Sequence, residues 1–210
     1  MPGLQDLLNS SMGTELIKGL AGETGQPEDK TAEVLAMAMP TMLGAMKKNA
    51  GSPQGAENLM NALSSRHTGD ILNDLGALFS GGVDPSIKND GAGILGHLFG
   101  SRQATVENTL SQRSGMDPAA ISQIIQIAAP ILMGLLGKQR AQNGFSDPSG
   151  LNDVLGGLLG GESQSNLSMV TSILDADGDG SFLDDVAGMM GGSSKNSGSL
   201  GGLLGGLFGK

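Results

Sequence analysis

The chain has 210 residues, 36 of them glycine, and no cysteine, tryptophan or tyrosine, which excludes disulfides, thiolate zinc sites and cysteine nucleophiles. Leu, Ala and Met carry the apolar content, a composition that favours helices and argues against a large β-sheet built on aromatic and β-branched residues. Twelve basic against 21 acidic residues give a formal net charge of −9, and with no cluster of Lys and Arg to displace counterions, nucleic acid is not an expected partner.

The first residues, Met1-Pro2-Gly3-Leu4-Gln5-Asp6, hold no basic region followed by an apolar core, so no secretory signal is expected. The chain reads as soluble and cytoplasmic. Apolar periodicity predicts short helices around 4–20, 56–64, 70–80, 102–113, 150–159 and 166–174, and longer helical segments at 24–48 and 114–138. His67, in Ser64-Ser65-Arg66-His67-Thr68, falls in a predicted loop with no second histidine nearby for a metal. His97, in Gly96-His97-Leu98-Phe99, reads as a helix-end or packing histidine. The stretch 121–137 is the longest nearly uncharged apolar run, and it is shorter than the ~20 residues of a membrane span.

The two longer segments repeat one another at a constant register. TGQPEDKTAEVLAMAMPTMLGAMKK at 24–48 aligns with SGMDPAAISQIIQIAAPILMGLLGK at 114–138. Gly25 matches Gly115, Ala38 matches Ala128, Pro40 matches Pro130, Gly44 matches Gly134 and Lys48 matches Lys138. Leu59 and Leu63 fall against Leu151 and Leu155. A further echo joins GILGHLFG at 93–100 to GLLGGLFG at 202–209. The expected fold is therefore all-α, two related multi-helical halves from an internal duplication: a first half at 1–101, a second at 102–190, and a Gly/Ser-rich tail at 191–210.

In the second copy Ile121, Ile124, Ile125, Ala128, Ile131, Leu132, Leu135 and Leu136 step by threes and fours, one stripe along a helix. Asp117-Pro118 supplies an N-cap followed by proline at the first helical position. Pro40 and Pro130 stand inside the helices, where proline removes a backbone hydrogen bond at a cost of roughly 3 kcal/mol. Their shared position reads either as a bend that wraps each helix around the core or as a ligand pocket at an opened turn. Met37, Met39, Met42 and Met46 read as core filling, with an adaptable partner groove as the alternative.

The segment most suggestive of chemistry is 175–185, DADGDGSFLDD. Asp175, Asp177 and Asp179 supply hard oxygen ligands at the first, third and fifth places of a calcium loop, Gly180 allows the sharp turn, and Ser181 presents a backbone carbonyl. The twelfth place, where a bidentate Glu is expected, holds Val186, so closure falls to Asp184 or Asp185 and affinity for Ca2+ is expected to be low. The alternatives are another cation such as magnesium, or a metal-free Asp-Gly turn whose aspartates cap the next helix. There is no Gly-x-Ser-x-Gly elbow, no zinc-protease histidine pair and no phosphate loop.

The pieces ILGHLFG, APILMGLLGK and LDADGDGSFLDD, in that order, resemble the YidB-like family of bacterial proteins of unknown function, DUF family 937. The resemblance spans about 4–190 and implies an all-helical fold and a bacterial source. It implies no activity and no functional residues. The functional expectation is a non-enzymatic helical interaction protein that binds a protein partner or itself, with a weak calcium site at 175–185. One rival is a membrane-surface protein using the Gly/Leu/Phe segment 200–210. The other is a metal-dependent hydrolase using Asp177, Asp179 or Asp185.

Overall fold

The computed structural model describes residues 4–145 and 147–160, together with 168, 170 and 171. Among these every regular element is helical: α1 (Leu4–Leu8), α2 (Ser11–Thr24), α3 (Glu28–Ala50), α4 (Pro53–Ser65), α5 (Leu75–Phe79), α6 (Pro85–Phe99), α7 (Gln103–Ser114), α8 (Pro118–Asn143) and α9 (Pro148–Leu159). Short 3-10 turns lie at Asp70–Leu72 and Gly100–Arg102. The acidic residues Asp175, Asp177, Asp179, Asp184 and Asp185, with Ser181, lie outside the described residues, as does the tail 191–210.

Local chemistry sets the helix boundaries. Four helices open on a cap residue followed by proline: Ser52-Pro53, Asp84-Pro85, Asp117-Pro118 and Asp147-Pro148. In each the cap side chain accepts a backbone N–H of the first turn, for example that of Ala119 on Asp117 Oδ1 at 2.8 Å. α2 and α7 end at Gly25 and Gly115, with φ of 65° and 70°, the left-handed conformation that glycine adopts without strain.

Several sequence expectations are refined. The helix expected over 4–20 is two, divided where Ser10 caps α2 by accepting from the Gly13 N–H at 3.2 Å. That over 70–80 divides likewise, with Asp74 capping α5. The segment 85–99, for which no helix is expected, forms α6.

α3 and α8 run through the middle of the core. On α3, Val34, Leu35, Ala38, Met39, Met42, Leu43 and Met46 are almost wholly buried, so these methionines fill core space. The expected stripe of α8 is buried throughout, and so are Ile127, Ala129, Pro130, Met133, Gly134 and Gly137. α8 is thus covered nearly all round over this stretch. It is longer than the apolar run at 121–137, and by length and composition alone it could cross a membrane. However, 78% of its apolar window is buried inside the fold. α6 lies along α8, α9 packs chiefly on α3, and α4 touches α3, α8 and α9. One hydrophobic cluster joins all of these and includes the fully buried Val170.

Candidate functional site

Among the described residues, an open cleft of mixed chemistry forms where α4 gives way to the 3-10 turn. The N–H groups of Arg66 and His67 both donate to the Ala62 carbonyl at 3.0 Å, which closes α4. The chain then reverses at Gly69, φ 108°, and is pressed onto α8. A Cβ at Gly137 would overlap the His67 carbonyl oxygen, and one at Gly134 would meet Ile71 Cγ2 at 2.6 Å. The two glycines of α8 are therefore what lets the turn settle against that helix.

This packing buries His67, which is 9% exposed. Its Nε2 faces Asp90 Oδ2 of α6 at 3.7 Å, a charge contact longer than a hydrogen bond. Desolvation pushes the His67 pKa below its usual value, and the Arg66 charge adds to this while Asp90 opposes it. Near neutral pH the imidazole is therefore uncharged.

Around it, Arg66, Asp70, Ser86, Asp90 and Pro130 border an open cleft of about 430 Å3, with Ile71 and Ile87 as its apolar lining. Thr68 Oγ1 donates to Asp70 Oδ2 at 2.7 Å. The Ser86 hydroxyl is engaged with Asp84, whose carboxyl it holds below its ordinary pKa. Both hydroxyls are thus committed to carboxylates, and neither is paired with His67 as an activated nucleophile would be. The cleft presents an apolar floor, charges of both signs at the rim and a neutral imidazole.

A second open groove, of about 460 Å3, lies beside α2 and is lined by Glu15, Lys18, Gly19, Glu23, Phe79 and Gly82 among others. The Phe79 ring lies against Gly19, where a Cβ would overlap it. Glu23 Oε1 accepts from Lys88 Nζ at 2.6 Å and Oε2 from the Val83 N–H at 3.1 Å. The Lys88 hydrogen bond, helped by Val83, holds the Glu23 carboxyl below its ordinary pKa against a smaller effect of burial.

Of the residues singled out in the sequence, His97 is exposed in the last turn of α6. His67 is a loop residue as expected, but a buried one with a carboxylate neighbour. Sequence spacing does not reveal that neighbour, because Asp90 reaches His67 only once α6 exists. The available signal was Asp84-Pro85, the same helix start read correctly at Asp117-Pro118. Pro130 is buried and also borders the cleft. Among the described residues no group of three or more His, Asp or Glu is placed to hold a metal ion.

The family described as "Bacterial protein of unknown function (DUF937)" matches residues 6–139, more than half of the chain. No curated protein and no solved structure matches. The chain belongs to this bacterial family of unknown function, and the YidB-like resemblance agrees with that.

Proposed function

With a family that has no assigned activity as the premise, we propose that the chain is a non-enzymatic, cytoplasmic helical interaction protein that binds a protein partner or a second copy of itself. The observation that supports this is the open cleft over Pro130. Ile71 and Ile87 give it an apolar floor, and Arg66, Asp70 and Asp90 a polar rim, the layout of a protein-recognition patch. Affinity capture from a bacterial lysate, with and without calcium, tests the reading on full-length wild type beside Arg66→Glu and Ile87→Asp. Light scattering on the same variants covers self-association. A partner or dimer that both substitutions abolish supports the cleft. Capture unchanged by either removes it.

The proposed architecture is two related halves from an internal duplication. The common placement of Pro40 in α3 and Pro130 in α8, and of the left-handed caps Gly25 and Gly115 before them, supports it. The second half then carries a weak calcium site at Asp175, Asp177, Asp179, Ser181, Asp184 and Asp185, supported by the alternating aspartates and the glycines that follow them. Calcium that binds only the folded loop stabilises by mass action, so melting temperature should rise with calcium. Calorimetric titration of wild type, Asp175→Ala and Asp179→Ala tests this. No heat at millimolar calcium ends it. Metal-dependent turnover of a phosphatase or esterase substrate, lost in Asp179→Ala, would replace the non-enzymatic reading.

A further inference from the structure

We propose that the cleft beside His67 takes the side chain of a lysine from a partner protein, its ammonium held between His67 Nε2 and Asp90 Oδ2. This names the partner chemistry of the recognition cleft proposed above and rests on that reading. The two atoms stand 3.7 Å apart. That is too long for a hydrogen bond between them, yet one nitrogen at ~2.9 Å from each bridges both. The His67 side chain is only 9% exposed, and it borders the cleft. Among the described residues no hydrogen bond reaches its ring nitrogens. A buried polar group left in this way calls for a partner from outside the fold.

The rest of the lining sets what that partner carries. Thr68 Oγ1 gives its proton to Asp70 Oδ2 at 2.7 Å, and the Ser86 hydroxyl gives its own to Asp84. What the inner wall has left to offer is lone pairs, on Asp90, on Asp70 and on the two hydroxyl oxygens. Desolvation, which outweighs the pull of Asp90, keeps the imidazole neutral near pH 7. With its proton on Nδ1, the ring adds one more acceptor at Nε2. A wall of acceptors fits a group that only donates.

Charge points the same way. Two carboxylates against one guanidinium leave the lining net negative, and the −9 of the whole chain draws in cations. Among the described residues no three His, Asp or Glu are placed to hold a metal ion, which leaves ammonium and guanidinium. A guanidinium fork matches the edge of a single carboxylate, whereas an ammonium spreads three N–H bonds toward separate acceptors. Here the acceptors stand on separate elements, with Asp90 on α6 and His67 and Asp70 in the turn. Ile71, Ile87 and Pro130 floor the cleft and suit the methylenes of a lysine. At about 430 Å3 there is room for that side chain and the backbone on either side of it. Arg66, exposed at the rim, is left for a carbonyl or carboxylate beside the lysine.

The probe is Nα-acetyl-L-lysine N-methylamide, titrated into the full-length protein near neutral pH and followed by the imidazole NMR signals. The chain has two histidines, and His97, exposed at the end of α6, is the internal reference. The expected result is a saturable shift at His67, none at His97, and none at either with the Nε-acetylated probe, which has lost its charge. Asp90→Asn should weaken binding about tenfold or more. Asp70→Asn, on the exposed turn, should weaken it too and replaces Asp90→Asn if that variant fails to fold. No saturable shift at His67, an equal response to the acetylated probe, or full affinity in the folded carboxylate variant overturns the inference. Capture that Arg66→Glu and Ile87→Asp abolish, together with no response to the probe, removes the lysine and leaves the recognition cleft standing. Capture unaffected by either substitution removes the cleft reading itself.

Discussion

Gly91 of α6 lies against the carbonyl oxygen of Gln126 in α8, the acceptor that Pro130 leaves without a helical donor. Residues from two distant parts of the sequence, Gly91 on α6 and Gln126 with Pro130 on α8, meet at one point. The proline opens the ladder, the glycine has no Cβ to obstruct the oxygen, and its Cα hydrogens face it in the manner of a weak Cα–H···O bond. The interior proline and the glycine-bearing α6 are thus parts of a single contact.

Substitution of Gly91 should therefore cost stability even though alanine is the better helix former. We expect Gly91→Ala to lose about 1–3 kcal/mol through backbone displacement. Gly93, two residues on, has open space where a Cβ would go, and Gly93→Ala should gain up to ~1 kcal/mol. Urea denaturation of the pair is the measurement. Equal stability of Gly91→Ala and wild type would remove the close contact.

The turn bearing His67 offers a similar contrast on α8. A Cβ at Gly137 meets the backbone of His67 and Thr68, whereas one at Gly134 meets the end of the half-buried Ile71 side chain. A side chain can rotate aside and a backbone cannot, so Gly137→Ala should be the more damaging by at least ~1 kcal/mol. It should also alter the cleft, read as a shift in the imidazole NMR signals of His67. If Gly134→Ala proves the more damaging, the turn does not sit as described.

His67 should make stability depend on pH. Its pKa is lowered in the fold, mainly by desolvation, so below its unfolded value of about 6.5 the unfolded chain binds the extra proton first. Stability should then fall on acidification from about pH 6.5 down to the lowered folded value, by at most ~1.4 kcal/mol per pH unit. His67→Gln should flatten this part of a denaturation-against-pH curve. A wild-type curve already flat there would contradict the burial.

Glu23 acts in a more acidic range. Its carboxyl lies below the ordinary 4.5, chiefly through Lys88, so its contribution is complete above that value and disappears as pH falls through the lowered pKa. The pair joins α2 to α6 with Lys88 31% exposed, and solvent screening limits it to about 1 kcal/mol. Glu23→Gln should lose about that much at neutral pH, and the loss should shrink in high salt. A salt-independent loss would point to packing.

The parts of the fold legible in the sequence are those whose cause is local. The stripe Ile121, Ile124, Ile125 and Ala128, the Asp117-Pro118 start and the core methionines all follow from propensity, capping and burial. α6 was illegible because Gly91, Gly93 and Gly96 depress helix propensity, and the reason for Gly91 is a carbonyl on another helix. The His67–Asp90 approach was hidden for the same reason. Its carboxylate stands on the element that propensity discounts, and its histidine sits in a turn held by Gly134 and Gly137.

The placement of α6 on α8 and of α9 on α3 also bears on assembly. A chain severed between 101 and 102 would yield two fragments, each with its central helix stripped of a cover that only the other supplies. Neither should be stable alone. Co-expressed, they should find one another and restore the native spectrum, which would make this protein a ready scaffold for split-reporter complementation.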